Sequence, residues 1–505
     1  MEKTFYDLFK EQSLKNPKKV ALIIEEKKYT YGELLEKTDL FAEKLKTLSE
    51  GKRKHIATIL GNSLEMVLLL LVVSKLGLTL VPLPPDLPQE FAEEILKTCD
   101  VEMAITQTER EFKGIETLKV SELWEVPAKV KDWNVKPDLD TPFIITTTSG
   151  STGKPKPIVL TQRIKLKRAF KGAKEIFNLS EEDIYIVSTP LYHSLAQRFT
   201  LLPLITGATA VVMKKFNLQR WLSLVENQKV SFAVLVSSQL ENIVSHLWEK
   251  GENYNLRSLK KLISSSAPLL ERTRKRALEI SKTFGWEIYE TYGTSEIGFA
   301  SVLNMTEETR KWDSVGKPLP YADIKILSTE GKELPPNQIG EIAVKTETIF
   351  AGYYKMPQKT KESFTSDGYF LTGDLGYLDE EGYLYFSGRK KEVIITGGIN
   401  VFPQDVERVI LTHPKVKECA VFGVENDYFG EVVCALIVPK EPLTERELRN
   451  FLRGKLASYQ MPIYIDFVEE IPKNHLGKVA RRELKGLVNT NKLNQIVEKL
   501  KTLLL

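Results

Sequence analysis

The chain has 505 residues, of which 42% are hydrophobic and 27% are charged. This is the composition of a globular protein, and it excludes a disordered or fibrous chain. The length predicts two or three domains. Because 71 basic and 67 acidic residues leave a net charge of only +4, the surface field is too weak to indicate nucleic acid as the main partner.

Cysteine usage and hydropathy predict a location in the reducing cytoplasm. Cys99, Cys419 and Cys434 form no CxxC pair, which argues against a zinc site and a disulfide framework. The N-terminus is charged within its first residues and lacks the apolar core of a signal peptide. The longest apolar run, residues 66–73, is far shorter than the roughly 18 residues of a membrane span. Peripheral membrane contact by the amphipathic C-terminal stretch is a minor alternative, and the sequence leaves monomer and homodimer both open.

Strands and helices alternate along the first part of the chain. Residues 20–24 and 56–60 have the apolar composition of short strands, and residues 64–76 that of a core helix. The alternation resumes over residues 163–213, and it favours a mainly parallel sheet with helices on its faces. Further strands are predicted at residues 230–236, 260–264 and 286–289.

From residue 322 the pattern changes to short strands separated by Gly and Pro turns, which predicts a small β-rich subdomain. After Gly388 the pattern becomes α+β. The predicted fold class is therefore α/β. A large N-terminal domain, residues 1–388, contains stacked α/β subdomains and the β-rich subdomain, and a small mobile α+β domain follows at residues 389–505.

Residues 146–156 read TTTSGSTGKPK and follow a short apolar strand. The glycines permit turns that expose successive N–H groups, the hydroxyls add donors, and the lysines add positive charge. Such a loop predicts polyphosphate binding, although composition alone favours a polar surface turn equally. It is not the usual nucleotide P-loop, because Thr148 and Pro155 stand where that motif needs glycine and a hydroxyl residue. The predicted phosphate contacts are Thr148, Ser149, Gly150, Ser151, Thr152, Gly153 and Lys156.

This string resembles the phosphate-binding loop of the acyl-adenylate-forming superfamily, which includes acyl-CoA synthetases, luciferases and the adenylation domains of peptide synthetases. One motif is only a hypothesis, but further strings resemble motifs of that family, in the same order, over nearly the whole chain. One departure is Pro157, where the family has glycine. It removes one backbone donor and favours extended geometry at Lys156.

Two strings resemble the nucleotide and metal motifs of the family. Residues 289–296 read YETYGTSE and resemble YGxTE. The resemblance implies that Glu296 and the Ser295 hydroxyl bind Mg²⁺, a hard cation that takes oxygen ligands, and that Tyr292 and Gly293 lie at the adenine. Residues 264–269, SSSAPL, resemble SGxAPL and place Ser266 at the adenine, with Ser265 where the family has glycine. A surface turn is the plain alternative for the YETYGTSE string.

Residues 190–193, PLYH, resemble the segment beside the carboxylate pocket of the family. The resemblance implies that His193 orients or gates the acyl group, whereas an isolated histidine is more often structural. The expected acid pocket also contains Ser194, Gln197, Ser237, Ser238, Ser265, Ser266, Thr291 and Gly298.

Residues 372–374, TGD, and residues 388–392, GRKKE, resemble two motifs at the end of the family's N-terminal domain. The resemblance implies that Asp374 accepts hydrogen bonds from the ribose hydroxyls and that Arg389 is a second ribose or phosphate contact. It also implies that Lys391 is the hinge of the C-terminal domain. Each charge read alone could be a solvated surface group.

The C-terminal domain carries two further strings. Residues 396–407 match the GGxNxxPxxVE form common among fatty-acyl-CoA synthetases, and this implies that Gly397 and Gly398 approach the pantetheine arm of coenzyme A. Residues 472–484 resemble PxTxxGKxxRxxL, with Asn474 in place of Thr. The resemblance implies that Lys478 contacts the carboxylate and the α-phosphate and stabilises the charge that develops at phosphorus.

The resemblance implies an AMP-forming acid–thiol ligase that uses ATP and Mg²⁺ and has coenzyme A and a small carboxylic acid as further substrates. The GGxNxxP form favours a fatty acid. An aryl-CoA ligase and an adenylation enzyme that loads a carrier protein are alternatives within the fold. The absence of an Asp shortly after His193 disfavours an amino acid, and the intact Glu296 and Asp374 argue against a binding protein without activity.

Overall fold

The chain divides into two compact units. The first comprises Met1–Ile324, Ala343–Phe370 and Glu381–Leu384, and the second comprises Lys325–Ile342, Leu371–Glu380 and Tyr385–Leu505. The structure is a computed structural model that describes residues 2–49, 55–127, 136–149, 155–251, 254–265, 269–427, 429–473 and 479–504. The domain boundary predicted between residues 388 and 389 stays a prediction.

The α-helices in the described residues are α1 Phe5–Lys15, α2 Tyr31–Ser49, α3 Leu64–Leu76, α4 Gln89–Thr98, α5 Val120–Leu123, α6 Gln162–Ala169, α7 Ser194–Thr206, α8 Leu218–Gln228, α9 Ser237–Lys250, α10 Glu271–Phe284, α11 Pro357–Glu362, α12 Pro403–Ile410, α13 Glu445–Leu452, α14 Arg481–Leu484 and α15 Thr490–Leu504. Local chemistry defines many of their ends. The α3 helix begins after Ser63, whose side chain accepts a hydrogen bond from the N–H of Met66, and it ends at the left-handed Gly77.

The strands in the same residues are β1 Val20–Ile24, β2 Lys27–Thr30, β3 His55–Ile59, β4 Thr79–Leu83, β5 Met103–Thr106, β6 Glu116–Lys119, β7 Pro142–Ser149, β8 Pro155–Thr161, β9 Ile184–Val187, β10 Thr209–Val212, β11 Phe232–Val236, β12 Lys261–Ser265, β13 Glu287–Thr294, β14 Gly298–Asn304, β15 Lys317–Pro318, β16 Ala322–Leu327, β17 Gly340–Thr346, β18 Gly352–Tyr353, β19 Phe370–Leu378, β20 Leu384–Arg389, β21 Ile394–Thr396, β22 Ile399–Val401, β23 Val416–Asn426, β24 Gly430–Pro439 and β25 Tyr464–Phe467.

A nine-stranded sheet of the first unit runs in the order β15-β14-β13-β12-β11-β9-β10-β1-β2. The strands from β13 to β1 are parallel, and β14, β15 and β2 pair antiparallel at the two sides. Because parallel strands end at the same edge of a sheet, the segments that follow β9, β11, β12 and β13 lie side by side there. These segments carry His193, Ser237, Ser265 and Glu296, so the fold brings the predicted acid and nucleotide residues to one edge.

A seven-stranded sheet of the same unit runs in the order β18-β8-β7-β4-β3-β5-β6. Its β7–β8 hairpin leads into and out of the predicted phosphate loop. One core joins the two sheets, and it contains buried side chains of helices α1, α2, α3, α6 and α7 together with strand residues such as Leu22 and Ile56. Burial of this apolar surface explains why the continuous run of α3 forms a core helix.

Two smaller sheets occur later in the chain. The β-rich part forms a four-stranded sheet in the order β16-β17-β19-β20. In the second unit the order is β22-β21-β24-β23, with β25 paired to β24. Apolar clusters that include Val406 and Leu448, and Tyr464 and Leu484, cover this last sheet.

These observations confirm the predicted α/β fold class with a large N-terminal part, a β-rich subdomain and a smaller α+β part. The α6 helix continues not as an α-helix but as a π-helical segment, Phe170–Glu175, a conformation that often occurs near functional sites.

Candidate active site

The predicted phosphate loop joins the antiparallel strands β7 and β8. Thr148 stands opposite Lys156 in the register, and Thr147 opposite Pro157, so Pro157 occupies an extended strand position, as its ring predicts. Gly150, Ser151, Thr152 and Gly153 lie outside the described residues, as do the side chains of Thr148 and Ser149. Their assignment to phosphate therefore stays a prediction.

The side chain of Glu296 is held by a tyrosine that the sequence did not single out. The Tyr353 hydroxyl donates a 3.1 Å hydrogen bond to Oε1 of Glu296. The Lys156 ammonium lies 5.6 Å from the centre of the Tyr353 ring. Burial and the Glu296 charge raise the pKa of Tyr353, so its phenol stays protonated and remains a donor. The structure thus groups a carboxylate, an ammonium and a phenol at one place.

Lys156 is itself partly buried in this group. Burial and the positive charge of Lys359 lower the pKa of the Lys156 ammonium, and the Glu296 carboxylate opposes that shift. An anion such as a phosphate would supply the missing negative charge. The position fits the predicted phosphate contact.

The backbone beside Glu296 is fixed by the buried guanidinium of Arg168 on α6. Its Nε donates to the carbonyl of Thr348 at 2.9 Å, Nη1 to that of Ser295 at 2.9 Å, and Nη2 to that of Glu296 at 2.6 Å. The N–H of Phe350 also donates to the Glu296 carbonyl at 2.7 Å. Arg168 therefore positions the segment on which the predicted metal ligands stand.

Strand β13 carries the predicted adenine residues. Tyr292 is buried, and a Cβ added to Gly293 would lie 1.9 Å from the carbonyl oxygen of Gly298. The close approach of β14 thus requires glycine at 293. The neighbouring Glu290 is buried with Arg274, whose Nη2 donates to it at 2.8 Å. Burial raises the pKa of Glu290, and the Arg274 charge opposes the shift.

Two buried hydroxyls at or next to the expected acid pocket have no hydrogen-bond partner among the described residues. One belongs to the predicted pocket residue Thr291, and the other to Ser264, which precedes the pocket residue Ser265. Orphaned buried hydroxyls in a native structure are consistent with a polar ligand. Ser265 ends β12 and is buried, while Ser266 lies outside the described residues.

His193 is the N-cap residue of α7 and makes an edge-on ring contact with Tyr192. The segment before it is held by Asn62, whose Nδ2 donates to the carbonyls of Thr189 and Met213 and whose Oδ1 accepts from the N–H of Leu191. Sequence analysis missed Asn62, which follows β3 and carries no motif. Its three bonds fix the segment that leads into the predicted acid pocket.

The predicted ribose contacts belong to the second unit. Asp374 follows the left-handed Gly373, is almost fully buried, and lies 3.5 Å from Nε of the exposed Arg389. The carboxylate and guanidinium are thus adjacent, as the predicted roles require. Lys391 is exposed and lies in the short 3-10 helix Lys390–Glu392 that follows β20.

Gly397 and Gly398 form the turn between β21 and β22. Both have positive φ, +57° and +80°, and a Cβ at either position would meet nothing within 4 Å. The turn is exposed. Backbone conformation thus requires glycine here, and open space beside the turn is compatible with approach of a narrow ligand. Lys478 lies outside the described residues, and its catalytic assignment stays a prediction.

Arg481, three residues after Lys478, makes hydrogen bonds to separate segments of the second unit. Its guanidinium donates to Glu392 at 2.9 Å, to Glu407 at 2.7 Å and to the carbonyl of Val421 at 2.6 Å. Glu392 follows the predicted hinge and Glu407 ends the motif of Gly397 and Gly398. Arg481 therefore connects three motifs that the sequence presents separately.

A family model described as AMP-binding enzyme matches residues 9–354, which is more than half of the chain. The chain belongs to the AMP-binding enzyme family. The model of the C-terminal domain of AMP-binding enzymes matches residues 405–478. These matches confirm the resemblance on which the sequence analysis rests.

Curated relatives and solved structures agree with this membership in the AMP-binding enzyme family. The chain is 30% identical over 489 residues to 2-succinylbenzoate–CoA ligase of Bacillus thuringiensis subsp. konkukian, covering 97% of this chain and 99% of the relative. It is similar to the o-succinylbenzoate CoA synthetase of Bacillus subtilis in complex with an acyl-adenylate, with 28% identity, a TM-score of 0.86 and coverage of 96% and 98%. The same Bacillus subtilis enzyme with ATP and magnesium matches at 27% identity and a TM-score of 0.86, with coverage of 96% and 100%.

The predicted enzyme class, an AMP-forming acid–thiol ligase, is confirmed, and so are ATP, Mg²⁺ and coenzyme A as the small molecules of the class. In the described part of the chain no three His, Cys, Asp or Glu side chains gather as a metal site. The donor set at Glu296 therefore fits a cation that takes most of its ligands from phosphate and water. None of the helices in the described ranges is long and apolar enough to cross a membrane.

Proposed function

We propose that this AMP-binding enzyme activates an aryl carboxylic acid with ATP and transfers the acyl group to coenzyme A, at a site built around Glu296. The observation that carries the proposal is the grouping of Glu296, Tyr353 and Lys156. A fixed carboxylate next to an ammonium suits a metal-bound polyphosphate, because the carboxylate binds the cation and the ammonium faces the phosphate oxygens.

The chemistry needs two steps because oxide is a poor leaving group from a carboxylate. First, a carboxylate oxygen of the acid attacks the α-phosphorus of ATP, the bond to pyrophosphate breaks, and acyl-AMP forms. Mg²⁺ held by Glu296 and Ser295 would neutralise charge on the phosphate oxygens. Second, the thiolate of coenzyme A attacks the acyl carbon and AMP leaves with the electron pair of the broken carbon–oxygen bond.

The remaining residues take roles at defined atoms. Lys478 holds the attacking carboxylate against the α-phosphate and stabilises the charge at phosphorus. Asp374 accepts from the ribose hydroxyls while Arg389 faces the ribose or phosphate. His193 orients the acyl group, and the turn of Gly397 and Gly398 borders the pantetheine arm. Ser295 completes the metal site with Glu296.

Full-length similarity to 2-succinylbenzoate–CoA ligases favours an aryl acid. The fatty acid predicted from the GGxNxxP form is the second candidate, and loading of a carrier protein is the third. The fatty-acid candidate and the carrier-protein candidate can each be distinguished from the aryl-CoA ligase by their products.

Pyrophosphate release from Mg-ATP, measured with aryl, short-chain and long-chain acids in the presence and absence of coenzyme A, tests the proposal. We expect sustained release with an aryl acid only when coenzyme A is present. Preference for long-chain acids would replace the aryl assignment by the fatty acid. Release that is independent of coenzyme A would favour a carrier protein as the acceptor.

A further inference from the structure

Asn62 is a buried amide that joins the two large sheets of the first unit. Its exposed fraction is 5%. Its Nδ2 donates to the carbonyls of Thr189 at 3.0 Å and Met213 at 2.8 Å, and its Oδ1 accepts from the N–H of Leu191 at 2.6 Å. Because a carbonyl only accepts and an N–H only donates, these partners fix the orientation of the amide. Asn62 follows β3 of the seven-stranded sheet, whereas its partners follow β9 and β10 of the nine-stranded sheet.

Gln197 on α7 is a second buried amide at the same segment, with an exposed fraction of 0%. Its Nε2 donates to the carbonyl of Leu191 at 2.9 Å, and its Oε1 accepts from Nζ of Lys165 at 2.7 Å. The sequence predicted Gln197 as a residue of the acid pocket. In the structure, both ends of its amide are engaged within the protein.

The two amides hold Leu191 from both sides, and we call Asn62 and Gln197 the Leu191 clamp. Asn62 accepts from the N–H of Leu191, and Gln197 donates to its carbonyl. Displacement of this residue would leave buried polar groups unpaired, which is costly. His193 is tied to the clamp, because its N–H donates to the carbonyl of Pro190 at 3.0 Å and its carbonyl accepts from the N–H of Gln197 at 3.1 Å.

The clamp is buried, but the residues that it holds reach the surface. Leu191 and Gln197 are buried, whereas the side chains at 192–194 are half-buried. Residues 188–193 lie between β9 and α7, so neither a strand ladder nor a helix fixes their backbone. Side-chain hydrogen bonds take over that task. The position of the His193 ring therefore depends on the clamp.

We propose that Asn62 and Gln197 are positioning residues for the acid substrate. They hold the main chain of Leu191 so that His193 stands where the acyl group binds, and neither amide contacts the acid. The inference rests on the proposed function for the role of His193. Displacement of a group at the reacting centre by about 1 Å can cost about 100-fold in rate. Loss of the clamp should therefore impair use of the acid and spare ATP.

Double-mutant cycles with His193→Ala test this inference in the full chain. The acid is 2-succinylbenzoate or octanoate, whichever the wild-type chain uses better. We expect Asn62→Ala and Gln197→Met each to lower kcat/KM for the acid about 10- to 100-fold and to leave the KM for ATP unchanged. In the His193→Ala background they should add little, because the clamp acts through that ring. Full additivity would overturn the inference.

Gln197→Met conserves side-chain volume, so it completes the test if Asn62→Ala does not fold. Gln162→Met is the matched control, since Gln162 is also a buried amide with an exposed fraction of 2%. Its Oε1 accepts from the N–H of Phe5 at 3.2 Å and the hydroxyl of Ser74 at 2.7 Å, and its Nε2 donates to the carbonyl of Ser74 at 3.3 Å. These partners lie on α1 and α3.

The control separates positioning from general destabilisation. Gln162→Met removes as many buried hydrogen bonds as Gln197→Met, so we expect it to lower the melting temperature. It should leave kcat/KM for the acid unchanged, with or without His193→Ala. An equal loss of acid kinetics in Gln162→Met and Gln197→Met would overturn the inference.

A measurement without turnover separates this inference from the proposed function. The chain has five histidines, and in a ¹³C-histidine-labelled chain the ring signal of His193 is the one that His193→Ala lacks. We expect Gln197→Met to move this signal and Gln162→Met to leave it in place. An unmoved signal would overturn the clamp even in an active ligase, and a moved signal with wild-type acid kinetics would overturn its role in acid binding. Absence of pyrophosphate release with every acid would contradict the proposed function, while the signal would still decide whether the clamp holds His193.

Discussion

Among the described residues, the Tyr353 phenol is the group that donates to the Glu296 carboxylate. Replacing Tyr353 by Phe removes that hydroxyl and keeps the ring next to Lys156. A hydrogen bond to a charged group contributes about 1.5 to 3 kcal/mol, so we expect adenylation to slow about tenfold or more and to need more Mg²⁺. Pyrophosphate release titrated with Mg²⁺ would measure both effects.

The adjacent Tyr354 provides the matched control for this change. Its hydroxyl donates to Asp100 at 2.7 Å and makes no bond to Glu296. Tyr354→Phe should therefore leave the Mg²⁺ dependence unchanged. Equal effects of the two substitutions would mean that Tyr353 does not position the metal ligand.

At the residue scale, sequence motifs identified charged residues such as Glu296 better than they identified the residues that surround them. Glu296 stood out because it ends a recognisable string, whereas Tyr353 lies 57 residues later and follows no pattern. Lys165 and Arg168 belong to a basic stretch that reads as a solvated face, yet both are buried. A one-dimensional pattern cannot distinguish these cases, because long-range packing decides them.

At the element scale, strands β13 and β14 explain why position 293 is glycine. Gly293→Ala would force a methyl group into the carbonyl of Gly298. Such overpacking costs about 1 to 3 kcal/mol, so we expect a lower melting temperature together with weaker ATP binding. Thermal unfolding and ATP titration of the variant would measure these effects.

Gly486→Ala is a suitable control, because a Cβ there meets nothing within 4 Å and its backbone has no positive φ. It should leave the melting temperature unchanged. If Gly293→Ala also kept the wild-type melting temperature and lost only ATP binding, a ligand contact and not strand packing would require this glycine.

In the second unit, Arg481 holds two carboxylates from separate elements. Arg481→Met leaves Glu407 without its ion pair, which costs about 3 kcal/mol or more for a buried pair. Burial raises the pKa of Glu407, and in the wild-type chain the Arg481 guanidinium opposes this rise. Removing the guanidinium therefore raises the pKa of Glu407 further. A carboxyl group with a raised folded pKa contributes stability at low pH and loses it as pH rises through that pKa.

We therefore expect Arg481→Met to destabilise the chain more at pH 8 than at pH 5, which thermal unfolding at the two values would measure. Arg408→Met removes an exposed cation that lies near Asp405 and should have little effect at either pH. A loss independent of pH would indicate that Arg481 acts by packing alone.

Periodicity and turn residues predicted individual helices and strands, and these predictions were correct where the signal lies within the element itself. Strands β1, β11 and β12 lie within a few residues of their predicted positions. Their order in the sheet, which brings His193 and Ser265 to one edge, depends on pairing between distant segments. The two-residue strand β18, which places Tyr353, has no local signal at all.

At the scale of the whole molecule, one chain must perform two reactions on one acyl group. In the proposed function, Lys478 serves adenylation and the turn of Gly397 and Gly398 serves thioester formation. We expect the C-terminal domain to rotate about Lys391 between the steps, a hinge-type change. Lys391→Pro restricts that backbone, so it should spare pyrophosphate release and lower thioester formation at least about 100-fold.

Lys478→Ala is the reciprocal control, because it should abolish most adenylation and still convert synthetic acyl-AMP to acyl-CoA. Both half-reactions are followed separately, by pyrophosphate release and by thioester formation from acyl-AMP. Equal loss of both half-reactions in Lys391→Pro would contradict the hinge.

The most direct test of the whole account is the identity of the products. The wild-type chain would be mixed with Mg-ATP, coenzyme A and 2-succinylbenzoate, and the nucleotides and thioesters would be identified by mass spectrometry. We predict acyl-CoA and AMP in equal amounts, with acyl-AMP accumulating when coenzyme A is left out. Formation of ADP, or of acyl-AMP that coenzyme A does not consume, would contradict it.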